Sequence, residues 1–200
     1  MLKFLYTIAF VDHADYKITG RVFKVNDSED NKILRAHGKL ITDFSPELKA
    51  LLDQMNQIMI QSDGIGIAAQ QVGLTFRCCV IDVTPCLEKD ETCLFNGTDT
   101  KIRDLMPLQC CNPEILESFG SCHFSEGCLS VPEFNADVVR PEFISAKYQD
   151  PSENWQYIKC GGILARCMQH EFDHLDGIVF IDKLSPANQK KYQRFCANRK

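Results

Sequence analysis

His170-Glu171-Phe172-Asp173-His174 carries the clearest chemistry in this 200-residue chain. Side chains four apart on a helix lie one above the other, so His170 and His174 can reach a single metal ion. Glu171, beside them, is placed to take a proton from a water that such an ion activates. Two nitrogen donors, a base and an open coordination position are the parts of metal-assisted hydrolysis. The competing explanation is a buried helix whose histidines are hydrogen-bonded core residues. A third donor is missing from this helix, and beyond His174 the only acids are Asp176 and Asp182. Glu126-Gly127-Cys128-Leu129-Ser130 is the natural source. Gly127 lets the backbone come close, and a cysteine between such polar neighbours is unusual as core filler, the ordinary role of a free thiol.

Gly64-Ile65-Gly66-Ile67-Ala68-Ala69-Gln70-Gln71 is the third chemical segment. It matches G-x-G-x-x-A, but a dinucleotide fingerprint must follow a strand. Here the preceding residues read as a helix, and no Walker-type lysine follows. The small residues point instead to backbone passing close to a substrate, or to a close helix contact.

The elements that must position these segments can be read from pattern. Ser45-Pro46-Glu47 opens a helix with Ser at the N-cap, and Leu48, Leu51, Leu52, Met55, Ile58 and Met59 give it one apolar face through Gln61. Residues 76–83 read as a buried strand, and 84–107 as a surface insertion carrying a hairpin. Strands are expected over 138–148, 155–159 and 178–181. A helix over 163–176 is apolar almost all round, which makes its ionisable groups costly unless paired or bound to metal, and Gly177 is suited to a left-handed cap. Ser185-Pro186 opens a last helix.

Composition sets bounds. A net charge of −5 and 44% hydrophobic residues fit a single globular domain and exclude a large nucleic-acid-binding surface. After Asp182 the chain has six basic residues and no acid, either a solvated helix end or a contact for an acidic or RNA-rich partner. Eleven cysteines, odd in number and without C-x-x-C spacing, read as free thiols of a reducing compartment. No apolar run is long enough to span a membrane. The apolar N-terminus lacks a cleavage signature, so a cytoplasmic protein with an extension over residues 1–20 is expected.

The segments Gly64–Gln71, Glu126–Ser130 and Gln169–His174, in that order, resemble the three signature motifs of the peptide deformylases. The resemblance runs from about Val22 to the C-terminus. It implies an α+β single domain, with antiparallel or mixed sheets packed around a central metal-binding helix, flanked by an N-terminal and a C-terminal helix. By the same resemblance Cys128, His170 and His174 hold the metal, Glu171 is the general base, and Gln71 and the backbone N–H of Leu129 stabilise the oxyanion. The implied metal is Fe2+, with Zn2+, Ni2+ or Co2+ able to replace it in purified protein. The implied substrates are N-formyl-methionyl nascent peptides, deformylated with release of formate. Ile65, Ile163 and Cys167 would line the methionine pocket, with Arg166 departing from the apolar residue of some relatives. Gly66, Ser125 and Gly127 would pair with the peptide backbone, and Arg140 with Glu126 would brace the Cys128 loop. Ribosome contact through the basic C-terminal helix is a further expectation. A metallopeptidase of the His-Glu-x-x-His kind explains the helix but leaves Gln71 and Cys128 without a role; a non-catalytic binding protein has no use for Glu171 and Gln71.

Overall fold

Residues 78–81 are apolar at every position because the sheet they join is covered on both faces. The computed structural model describes residues 16–88 and 90–199; most of the expected 1–20 extension lies outside them. The helices are α1 (Ser28–Leu34), α2 (Pro46–Gln61), α3 (Ile102–Leu105), α4 (Gly162–Leu175) and α5 (Pro186–Ala197). The strands are β1 (Gly66–Ala68), β2 (Cys78–Ile81), β3 (Thr92–Phe95), β4 (Thr98–Lys101), β5 (Leu108–Phe119), β6 (Cys122–Cys128), β7 (Val131–Arg140), β8 (Phe143–Gln149) and β9 (Trp155–Gly161). Seven of the strands form one antiparallel sheet in the order β1-β2-β5-β8-β9-β3-β4, and β6 and β7 form a separate hairpin.

Period-two alternation along β2 explains the layers. Cys79 and Ile81 join Leu164, Cys167, Met168 and Phe172 of α4 in one core cluster. Cys78 and Val80 join Leu48, Leu52, Met55 and Met59 of α2 in another. A third cluster joins Phe134 and Val138 of β7 to Phe180 and Ile181, with Tyr192 and Phe195 of α5 packed against it. Each fully buried aliphatic side chain of this kind contributes about 1.5–3 kcal/mol.

The helical expectations hold closely for α2, α4 and α5, and Gly177 has a φ of +73°. Ser45 occupies the N-cap of α2, though its side chain makes no capping hydrogen bond. Three strand expectations change. The stretch 138–148 is two strands, β7 and β8, because the chain breaks at Pro141. Residues 178–181 are not a strand: Phe180–Lys183 is a 3-10 turn, held by the Val179 N–H donating to Asp182 Oδ2 at 2.9 Å. The segment 84–107 does carry a hairpin, turning at Asn96-Gly97 with positive φ at both residues. That hairpin is no mere surface insertion: β3 pairs with β9, and Cys93 and Ile102 are buried in the main core.

Candidate metal centre and active site

Helix α4 places its ionisable groups by spacing alone. His170 and His174 are one turn apart with ring centroids 5.0 Å apart, and Glu171 is buried between the helix and β1. The end of β6 brings in Cys128, whose Sγ lies 3.3 Å from His174 Nε2. One ligand atom from each of Cys128, His170 and His174 falls within 4.8 Å of the others. Donors at about 2.3 Å (sulfur) and 2.0–2.1 Å (nitrogen) around a tetrahedral ion stand roughly 3.6 Å apart, so the set fits a metal and leaves a fourth position open. Among the described residues this is the only such group, and His123 takes no part in one.

Second partners orient the ligands, as metal sites generally require. His170 Nδ1 lies 3.1 Å from Glu126 Oε2. Arg140 donates to both Glu126 oxygens, at 2.5 and 3.0 Å, and to Asp173 Oδ2 at 2.7 Å. Lys183 Nζ lies 3.0 Å from Asp173 Oδ1. Burial opposes the charge on Glu126, but hydrogen bonds to His170 and Arg140 outweigh it and hold its pKa at about 2. Burial likewise opposes a charge on His170, yet Cys128 and Glu126 hold its pKa well above the usual imidazole range. His174 is driven the other way, first by burial and then by His170, so it stays a neutral donor.

Glu171 is raised to about 7, mainly by burial. A carboxyl poised there can take and return a proton near neutral pH. Its Oε2 is buried with no hydrogen-bond partner among the described residues, a gap that a water or substrate group would close. Gly66 makes room for it: a Cβ at that position would collide with the Glu171 carboxylate. Gln71 is fixed by the Ala68 N–H, which donates to its Oε1 at 2.9 Å. Its amide nitrogen then points to Ser130 Oγ at 3.2 Å and Cys128 Sγ at 3.6 Å.

A cavity of about 630 Å³ opens onto these groups. Ile65 and Gly66 from the turn into β1, Ser125, Gly127 and Leu129 from the β6 segment, and Ile163, Arg166 and Cys167 from α4 all line it, together with Gln71, Glu126, Cys128, His170 and Glu171. His174 and Arg140 are buried and are not among the lining residues. Burial keeps the Cys167 pKa well above the usual thiol value, so that wall is neutral.

Sequence reading missed a strap. The Phe23 N–H donates to Gln71 O at 2.8 Å, the Val25 N–H to Ser130 O at 3.0 Å, and Lys24 Nζ to Leu129 O at 2.6 Å. One extended segment thus ties the Gln71 and Cys128 loops together. Ser130 and Asp173 were also not singled out as partners. The only signal for them was position inside motifs already chosen for other residues.

Known proteins agree with this geometry. A family model described as polypeptide deformylase matches residues 22–190. A peptide deformylase of Opitutus terrae is 39% identical over 166 residues, 82% of this chain and 84% of its own. The crystal structure of peptide deformylase from Thermotoga maritima matches with a TM-score of 0.69 at 35% identity, covering 83% of this chain and 97% of that one. A peptide deformylase from Synechococcus elongatus, solved in complex with actinonin, gives 0.71 at 33% identity, covering 88% and 84%. Sequence, fold and the Cys128/His170/His174 group therefore converge: the chain belongs to the polypeptide deformylase family.

Proposed function

We propose that this site hydrolyses the formamide at the N-terminus of formyl-methionyl nascent peptides, releasing formate and a free amine. The observation that carries the reading is that Glu171, Gln71, Cys128 and His170 line one cavity, with His174 buried behind them in the same three-ligand group. Cys128, His170 and His174 would hold one divalent cation, ferrous iron by the family resemblance, since a thiolate with two imidazoles accepts iron and zinc alike. When bound, that cation supplies Lewis-acid polarisation and makes a water acidic enough to react near neutral pH.

The chain's own residues do the rest. Glu171 accepts a proton from the attacking water and returns it to the amine nitrogen as the C–N bond breaks. Gln71 Nε2 and the Leu129 N–H donate to the formyl oxygen as it gains charge. Ile65, Ile163 and Cys167 receive the methionine side chain, and Gly66, Ser125 and Gly127 pair with the peptide backbone as an added strand. Glu126 and Arg140 hold His170 in the orientation it needs. The exposed basic side chains of α5 are offered as a contact for ribosomal RNA near emerging substrates; charge reversal of Lys190 and Lys191 tests this through ribosome co-sedimentation. Among the described residues no helix is long and apolar enough to cross a membrane.

The test is formate release by iron-loaded protein, prepared without oxygen, from formyl-Met-Ala-Ser and its acetyl analogue. Formate and free amine from the first peptide alone support the reading; internal peptide cleavage or inertness contradicts it. Glu171→Ala is expected to retain metal while losing roughly 10²–10⁴-fold in kcat.

A further inference from the structure

Arg166 lies in the cavity one turn before His170 and is only 9% exposed. Its guanidinium carbon sits 3.0 Å from the centroid of the Phe124 ring. The Nη1 atom is buried with no hydrogen-bond partner among the described residues. Of the acids that line the cavity, Glu126 is already engaged by Arg140 and His170, and Glu133 by Arg199. Burial lowers the Arg166 pKa, the sign expected of a cation held out of water.

A buried guanidinium nitrogen left unmatched is costly, and native proteins keep such groups where a ligand completes them. Stacking on an aromatic ring occupies one face of the guanidinium and leaves its edge free. That edge is a planar fork of N–H donors, shaped for a carboxylate.

We propose that Arg166 is a specificity-determining residue that selects peptides with an acidic side chain at the third residue. This rests on the deformylase reading, because the register comes from the substrate's pose. A peptide with its formyl end at Glu171, paired along β6, passes Ser125 and then Phe124 as it leaves the cavity. Side chains alternate along a strand, so residues one and three share a face about 6.8 Å apart. Residue one faces Ile163 and Cys167 of α4. Residue three therefore faces the same helix, where the Arg166–Phe124 stack lies.

The test compares kcat/KM of the metal-loaded enzyme on formyl-Met-Ala-Glu-amide and formyl-Met-Ala-Gln-amide, both amidated so that no terminal carboxylate competes. The expected ratio in favour of Glu is about tenfold for a charge-assisted pair. It falls toward one in Arg166→Met and is partly kept in Arg166→Lys. A ratio near one in the unaltered enzyme, or an unchanged ratio in Arg166→Met, overturns the proposal. The isomer pair with Glu or Gln at the second residue needs no variant: an equal or larger preference there overturns the register. Absence of formate from formyl-Met-Ala-Ser sinks the underlying reading instead, so the two failures are distinguishable.

Discussion

Gly66 shows how tightly residue type and chemistry are bound in this site. Any Cβ there collides with the Glu171 carboxylate, and the Cys167 Sγ is close behind it at 2.8 Å. Gly66→Ala is expected to leave metal content intact while lowering kcat/KM on the order of 10²-fold, as Glu171, the proposed base, is pushed from its place. Unchanged kinetics would show that Glu171 has room the structure does not give it. Single residues were legible where chemistry has a spacing: His170 and His174 by the helical repeat, Cys128 by its polar neighbours. Gln71 and Leu129 were named only through the family resemblance. Lys24 was invisible because its bond to Leu129 O joins positions 105 residues apart. No local pattern records a contact of that range.

At the scale of elements, the hairpin β6–β7 and helix α4 are joined by charge. Arg140 of β7 is 2% exposed, with Glu126 on one side and Asp173 on the other. Breaking a buried pair by removing one partner typically costs about 3–5 kcal/mol, because the other charge is stranded. Arg140→Ala should therefore lower stability by about that much in chemical denaturation and weaken metal retention as His170 loses its orienting Glu126. Normal stability and normal metal content together would remove the bracing role. The long helices were legible because caps and 3.6-residue periodicity agreed. Strand β5 was not, since Asn112 has a positive φ, Pro113 interrupts the ladder and its register shifts twice. Strand β6 reads Cys-His-Phe-Ser-Glu-Gly-Cys, without clean alternation, and its residues 124–128 line the cavity.

For the whole molecule, pH links the site to stability. Glu126 is held at about 2 in the folded protein, below its ordinary range. Its stabilising contribution is therefore complete above the unfolded value near 4.3 and is lost as pH falls toward about 2. Acid unfolding should steepen over that window, and Glu126→Gln should flatten it while costing stability at neutral pH. An unaltered acid limb would place the charge elsewhere. The three core clusters explain why one chain can hold so polar a site in its interior. Apolar packing by α2, by α4 against the sheet, and by β7 with α5 supports the three site segments from different sides.

The central claim is that sulfur from β6 and two imidazoles from α4 grip one cation. X-ray absorption at the metal edge of anaerobically loaded protein tests this most directly. The account predicts one sulfur and two imidazole donors at a single tightly bound ion, with the sulfur signal gone in Cys128→Ser. An ion without sulfur, or a sulfur signal that survives that substitution, would contradict it.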